Sequence, residues 1–314
     1  MKIKKKPALF TAAVVLAAGA YVVMNTRLGV HFALDVISEI GQPKDVLTSA
    51  TDGPLIVTAM LSPTQTIPLP DAIEQPSGIK HRDDAIYIST DQTEIFTLDT
   101  EFRNASTPFT LLGGLLLFKQ GSLEGIEVRG DTLFAIGEFG VMPTWSNNRD
   151  GSWTRADDVV LPPDIAELEF SGITDTPHGL FATMEERPVI VNLDSGSTHD
   201  LSYGEFLKDD ADPSVLTFSG LAYANGSFFI LSETYTSIII ADATTFELRT
   251  VFGIEPSAAA DLSLFEGQIY IVIDHNYTEQ RQNVRVYDID AAMRRATESD
   301  DRSQDTVTRP AENP

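Results

Sequence analysis

Cysteine is absent from this 314-residue chain. Without thiols there are no disulfides and no thiolate metal sites, so any metal must be held by oxygen or imidazole. Histidine is scarce: His31, His81, His178, His199 and His275 are all there are, and no two stand at metal-ligand spacing. Basic residues are few, 22 against 46 acidic, for a net charge of −24. Their distribution sharpens the imbalance. Residues 1–27 hold five basic residues (Lys2, Lys4, Lys5, Lys6 and Arg27) and no acid, which leaves 17 basic against 46 acidic residues, a net −29, on the other 287. So acidic a domain repels phosphate backbones, which excludes nucleic acid and favours cations or basic partners. Catalytic signatures are missing as well. There is no His-Glu-x-x-His, no Gly-x-Ser-x-Gly, no phosphate-binding glycine-rich loop and no cysteine nucleophile.

The N-terminus has the form of an address. Lys2–Lys6 precede an apolar run, Ala8–Met24, interrupted mainly by Thr11 and Gly19. Positive charge stays cytoplasmic, so the chain beyond residue 24 is expected on the outer side of the plasma (inner) membrane, which in a Gram-negative cell is the periplasm. About 17 residues is the lower limit of a spanning helix and predicts an uncleaved single-pass anchor. Ala18-Gly19-Ala20 offers the alternative of signal-peptidase cleavage and a soluble periplasmic protein. Residues 28–52 read as a stalk, with a short amphipathic helix over Leu28–Ile40 stopped by Gly41-Gln42-Pro43. Residues 293–314 form a polar tail with the composition of disorder. The folded body is therefore placed at 53–292.

A repeat organises that body. Ser77-Gly78-Ile79, Glu124-Gly125-Ile126, Ser171-Gly172-Ile173, Ser219-Gly220-Leu221 and Ala260-Asp261-Leu262 each precede an apolar strand ending in an acid. Successive motifs lie 47, 47, 48 and 41 residues apart, and the acid always lies thirteen residues after the Gly (or Asp261) position. Those acids are Asp91, Glu138, Glu185, Glu233 and Asp274. Turn residues (Asp83-Asp84, Gly130-Asp131, Asn225-Gly226) separate short segments rich in β-branched and aromatic residues. Third strands follow at Glu94–Asp99, Pro188–Asp194, Ser237–Asp242 and Asn283–Asp290, and fourth strands at Ser195–Leu201 and Phe246–Phe252. In the second unit, strands three and four are expected as a hairpin around Asn148-Arg149-Asp150-Gly151.

Four short strands per unit of 40–50 residues predict an all-β fold, a β-propeller of four-stranded antiparallel blades. Five blades fill the body; six is the alternative, and a β-sandwich is the main rival. The last unit lacks its fourth strand, which Leu55–Leu61 would supply to close the ring.

The motif set resembles the SdiA-regulated (YjiK/CarP-like) family. The residues that carry the resemblance are Gln75-Pro76-Ser77-Gly78-Ile79 with Ser89-Thr90-Asp91, Leu123-Glu124-Gly125-Ile126 and Met184-Glu185-Glu186-Arg187. The resemblance implies a propeller, an envelope location and a link to calcium. Ser171 and Ala260-Asp261 depart from the Glu-Gly pattern, so ligands do not carry over to those units.

If the first hairpin turns between Asp84 and Ala85, Gly78 pairs with Asp91. The same count pairs Gly125 with Glu138, Gly172 with Glu185, Gly220 with Glu233 and Asp261 with Asp274. Five acids would then ring one end of the propeller near its innermost strands, with Glu124 a sixth carboxylate. Crowded carboxylates raise one another's pKa values unless a cation compensates, and Ca2+ suits an all-oxygen site. Glu124 and Glu138 are the first metal-ligand candidates, with Asp91, Glu185, Glu233 and Asp274 behind them. The alternative is that the acids accept backbone N–H groups and brace the blades.

His81, His178 and His199 read as loop or turn residues, and His275 follows Asp274 at the acid-bearing end. Ser146–Asp157 has a faint likeness to a calcium loop but reads better as a hairpin turn, with Trp145 and Trp153 forming a cross-strand or rim pair. Three functions follow: an exported, membrane-anchored propeller binding a ligand or partner at its acidic face with Ca2+; a calcium-dependent, phytase-like phosphoesterase; or a scaffold. Lys80, Arg82, Arg129 and Arg187, which would have to cradle a phosphate, do not recur with the motifs.

Overall fold

The structure is a computed structural model that describes residues 48–106, 109–110, 122–137, 140–148, 151–166, 168–185, 187–255, 257–274, 281–290 and 293. The apolar run Ala8–Met24, the Leu28–Ile40 segment, Glu138, His275 and the tail from 294 lie outside the described residues. Among the described residues, no helix is long and apolar enough to cross a membrane.

Two short strands come first, β1 (Ala59–Met60) and β2 (Gln65–Pro68), and four-stranded sets follow. The first set is β3 (Pro76–Arg82), β4 (Ala85–Thr90), β5 (Glu94–Asp99) and β6 (Phe109–Thr110). The second is β7 (Leu123–Arg129), β8 (Thr132–Gly137), β9 (Thr144–Asn147) and β10 (Trp153–Arg155). The third is β11 (Phe170–Thr176), β12 (Gly179–Met184), β13 (Val189–Asn192) and β14 (Thr198–Asp200). The fourth is β15 (Gly220–Ala224), β16 (Ser227–Ser232), β17 (Ser237–Asp242) and β18 (Leu248–Gly253). The last has three strands of its own, β19 (Ala259–Phe265), β20 (Gln268–Ile273) and β21 (Asn283–Asp288). Each set is one antiparallel sheet, and the first strand of each lies beside the first strand of the next, with β19 returning to β3. That closed ring is a five-bladed β-propeller.

The turns explain the hairpins. Arg82 pairs with Ala85 across Asp83-Asp84, and Ala224 pairs with Ser227 across Asn225-Gly226. Asn225 and Gly226 both have positive φ, 50° and 77°. Such two-residue turns match the twist of the strands they join, and asparagine and glycine tolerate that conformation best.

The core is divided into five clusters, one between each pair of neighbouring blades. Tyr87 and Ile95 meet Ile126 and Leu133; Ile136 and Met142 meet Ile173 and Ala182. Phe181 and Ile190 meet Phe228 and Ile239; Phe229 and Leu231 meet Leu262 and Ile271; Val272 and Val284 meet Ile79 and Ile86. Because side chains alternate along a strand, Phe228 serves one seam and Phe229 the next. A strand apolar on both faces is the result, which is why Ser237–Asp242 has an unbroken Ile238-Ile239-Ile240.

Ring closure differs from the sequence expectation in one detail. The fourth strand of the last blade is β2, whose Gln65–Pro68 pairs antiparallel with Val286–Asn283. Residues 55–61 do not supply it. Instead Ala59 and Met60 add a fifth strand to blade four, parallel to Phe252 and Gly253. Pro63 interrupts the segment, and beyond it the chain passes from the edge of blade four to that of blade five. Residues 59–68 therefore fasten two adjacent blades.

Candidate functional site at the acid-bearing end

The Ser-Gly-Ile motif is a β-bulge. The register slips by one residue between Pro76 and Gly78, between Leu123 and Gly125, between Phe170 and Ile173, and between Ala259 and Asp261. Blade four does the same, with the Ser219 N–H donating to the Leu231 carbonyl beside the Gly220–Leu231 pair. Bulges bend a strand and re-aim its side chains. Here the bend brings neighbouring inner strands into near contact. A Cβ on Gly172 would lie 2.3 Å from the Leu221 nitrogen, and one on Gly125 would lie 2.7 Å from the Ser171 carbonyl oxygen. The glycine makes room for the next blade.

The serine beside it clasps that blade. Ser219 Oγ donates to the Ala259 carbonyl at 2.9 Å, Ser171 Oγ to Phe218 and Ser77 Oγ to Leu123. Blade two breaks the pattern: Glu124 is half-buried, and its carboxylate accepts from Ser122 Oγ. Blade five breaks it differently. Asp261 stands where the others have glycine, and its Oδ2 accepts the Ile79 N–H of blade one at 3.0 Å.

The expected glycine–acid pairing is corrected: the motif position pairs two residues before the acid, and the acid opposes a residue three before the motif position. Gly78 pairs with Ser89, Gly125 with Ile136, Gly220 with Leu231 and Asp261 with Val272. The turn sits at Asp83-Asp84, one residue earlier than assumed, which moves the pairing by two; the bulge moves it by one more. The described acids therefore follow the second strands of their blades, and Asp91, Glu185 and Asp274 oppose the residue three before the glycine position. Asp91, Glu185 and Asp274 donate their N–H groups to the carbonyls of Gln75 (3.0 Å), Glu169 (3.3 Å) and Ala258 (2.9 Å). Glu233 opens the corresponding turn, its carbonyl accepting from Thr236 N–H at 3.0 Å. Equivalent positions in equivalent blades put these four acids at one end of the ring. Asp91, Glu233 and Asp274 are half-buried and Glu185 is exposed; Asp274 Oδ1 also accepts from Gln282 Nε2 at 3.1 Å. Among the described residues, no three His, Asp or Glu side chains converge closely enough to hold a metal ion. The described acids thus form a rim of carboxylates and not a cage.

Sequence reasoning missed the polar belt further along the inner strands. Buried Glu127 takes Lys80 Nζ at 2.6 Å and the Asp175 N–H at 2.8 Å, so it joins blades one, two and three. Arg129 pairs with Asp175 at 2.6 Å. The signal was present, since Lys80 and Glu127 each lie two residues after their motif glycine and point at the next blade. Asp261 is fully buried, and burial raises its carboxyl well above the usual carboxylate range.

His81 corrects a second expectation. It lies in β3, not in a loop, and is only 6% exposed. Its ring stacks on Phe265 at 5.2 Å and touches Tyr270 at 4.2 Å and Phe102 at 5.6 Å. Neither ring nitrogen has a hydrogen-bond partner. Burial, with the nearby Lys80 charge second, lowers its pKa to about 3. His199 likewise belongs to a strand, β14, stacked on Phe246 at 4.2 Å. The Asn148–Ser152 turn does join β9 and β10 as a hairpin, but the tryptophans flanking it do not pair with each other; Phe109 contacts both, at 5.6 Å from Trp145 and 6.3 Å from Trp153.

Comparisons with known proteins bear on the fold. No family model matches the chain, and no curated protein matches it. Among solved structures, it is similar to glutaminyl cyclase from Myxococcus xanthus, at 13% identity and a TM-score of 0.53 over 74% of this chain and 99% of that one. Weaker likenesses are to a PQQ-bound aldose sugar dehydrogenase from Streptomyces coelicolor (10% identity, TM-score 0.47, 73% of this chain and 97% of that one) and to the Pan2 WD40 domain of Neurospora crassa (12%, 0.41, 74% and 72%). At such identity the likeness concerns architecture alone.

Proposed function

We propose that the protein is a binding module of the cell envelope whose acid-bearing end takes a positively charged partner, with Ca2+ the simplest candidate. The observation that supports this reading is the equivalent placement of Asp91, Glu185, Glu233 and Asp274 after the second strand of four blades. Glu124 adds a carboxylate on the inner strand of blade two, and Glu138 occupies the matching position in its sequence. A rim with spaced negative charges in so acidic a domain attracts cations over a broad surface. It suits an extended basic partner or several loosely held ions better than one deeply caged ion.

Membership of the SdiA-regulated family, with the envelope location and the calcium link that it implies, belongs to the same proposal and rests on the motifs quoted above. The phosphoesterase reading is weaker. Of the four basic residues available to a phosphate, Lys80 is held by Glu127 (2.6 Å), Arg129 by Asp175 (2.6 Å) and Arg82 by Asp83 (3.3 Å).

Calorimetric titration of the full chain in detergent with Ca2+ and, separately, with an oligolysine peptide tests the proposal. Saturable heat with either supports it; none with both rejects it. Calcium-dependent phosphate release from a generic phosphoester would instead establish an enzyme.

A further inference from the structure

The seam between blades five and one is built differently from the rest. On its facing inner strands, β19 and β3, two side chains of blade five take two alternate amides of blade one. Asp261 Oδ2 accepts the Ile79 N–H at 3.0 Å, and Ser263 Oγ accepts the His81 N–H at 3.0 Å. Ala260 stands at the clasp position, so this seam lacks the serine hydroxyl that holds blade one to two, three to four and four to five. Among the described residues no ion pair joins its inner strands, whereas Lys80–Glu127 joins blades one and two and Arg129–Asp175 joins blades two and three. The seam also encloses two titratable side chains. Asp261 is buried between Ile79 and Gly220, and a Cβ on that glycine would lie 2.6 Å from its Oδ1. The His81 ring is buried with both nitrogens unpartnered.

We infer that this seam is a latch that opens locally while the other four seams stay closed, and that His81 and Asp261 give its opening opposite dependences on pH. An enclosure of this kind holds a neutral imidazole or carboxyl far more readily than a charged one. The groups around the His81 ring give it no counter-charge. On β20 the Tyr270 hydroxyl donates to Gln268 at 2.8 Å, and Glu266 in the β19–β20 turn is exposed. Beside Phe102, the Asp99 carboxylate accepts the Glu101 and Arg103 amides, and Glu101 pairs with Arg103. On the β3 side, Lys80 is held by Glu127 and Arg82 by Asp83, and Asp84 is exposed. Lys80 is the charge that acts on both His81 and Asp261. Opening hydrates both groups. His81 then gains a proton below about pH 6.5, and Asp261 loses one above 3.8. By linkage, His81 promotes opening as pH falls from 6.5 toward 3, and Asp261 promotes it as pH rises from 3.8 through its folded-state value. Where the two windows overlap, the slopes cancel and the wild-type seam is held evenly. Residues 69–75 join β2 of blade five directly to β3 of blade one, so the parted strands stay tethered and reclose.

Hydrogen exchange of the full chain in detergent, resolved to single amides by NMR, tests the latch. Asp175 is the control. Its amide stands where His81 does, three residues after the motif glycine, and donates to Glu127 across the seam of blades two and three. In the wild type, protection of Ile79 and His81 at least about tenfold below that of Asp175 is expected. Equal or greater protection overturns the latch. The pH response is read at Ile79 and at position 81 in two variants, after correction for intrinsic exchange. In Asp261→Asn only His81 titrates, and opening should rise about tenfold per unit as pH falls from about 5.5 to 4. In His81→Leu only Asp261 titrates, and opening should decline as pH falls. Slopes of the same sign in the two variants, or no slope in either, overturn the opposed roles. Should a variant not fold, His81→Phe or Asp261→Gly (the residue of the other four blades) takes its place, with the same signs expected.

Discussion

The Asp261 carboxylate accepts the Ile79 N–H at 3.0 Å across the seam where the last blade meets the first. In the other four blades the same position is glycine, and at Gly78, Gly125 and Gly172 the inner strands meet backbone to backbone. Closure of the ring thus places a buried acid at the motif position where the other blades have glycine.

That acid gives the seam a pH dependence. Burial raises the folded-state pKa of Asp261 above its unfolded value of 3.8. Between those two values the unfolded chain releases a proton that the folded chain keeps, so this group lowers stability as pH rises through the window. Asp261→Asn retains an acceptor for Ile79 and cannot ionise. We expect its melting temperature to equal the wild type's near pH 3.5 and to exceed it increasingly toward pH 8; thermal melts across that range would reveal the crossing or its absence.

His81 acts in the opposite sense. Folded, it stays neutral until about pH 3, while the unfolded chain binds a proton below about 6.5. Stability from this source is intact above pH 6.5 and is lost as pH falls toward 3, by a total of roughly 5 kcal/mol at about 1.4 kcal/mol per unit. His81→Leu should flatten the acid side of the stability profile measured by urea unfolding. An unchanged slope would mean that the His81 ring is solvated in solution.

The bulge motif makes a steric prediction. Gly172→Ala places a Cβ 2.3 Å from the Leu221 nitrogen, which is backbone and cannot step aside. Overpacking of this kind costs about 1–3 kcal/mol or more. Ser219→Ala is milder: it removes one hydrogen bond to Ala259 and leaves a carbonyl short of a partner, for about 1 kcal/mol. Denaturant midpoints should rank wild type above S219A and S219A above G172A.

Residues 59–68 should be needed for folding, since β2 completes blade five and β1 extends blade four. A chain beginning at Thr48 is expected to unfold cooperatively, and one beginning at Pro70 to melt far lower or aggregate through the uncovered edge of β21. Comparable melts for both would show that the fastening is dispensable.

Much of this was legible in the chain itself. The Gly-plus-thirteen spacing recurs because each blade repeats one bulge and one hairpin, and Glu94–Asp99 and Ser237–Asp242 appear as strands with the expected bounds. What escaped were features without a periodic mark. Strand β2 is short, polar and at an edge, so Gln65–Pro68 has no apolar alternation to betray it. A turn one residue earlier and a bulge both change pairing without changing spacing, and together they displaced the described acids from their predicted partners. His81 looks like a turn residue by type, yet it occupies a core position because Phe265 and Tyr270 from other strands and Phe102 from the bend after β5 enclose it. Such tertiary enclosure is invisible in one strand's sequence.

The central claim is that the rim of acids binds positive charge. Its most direct test is calorimetry on the full-length protein carrying Asp91→Asn, Glu185→Gln, Glu233→Gln and Asp274→Asn together, beside the wild type, with Ca2+ and oligolysine as titrants. The account predicts saturable binding by the wild type of at least one titrant and a loss of about tenfold or more in the variant, with its melting temperature in chelator preserved. Undiminished binding by the variant, or no binding by the wild type, would contradict it.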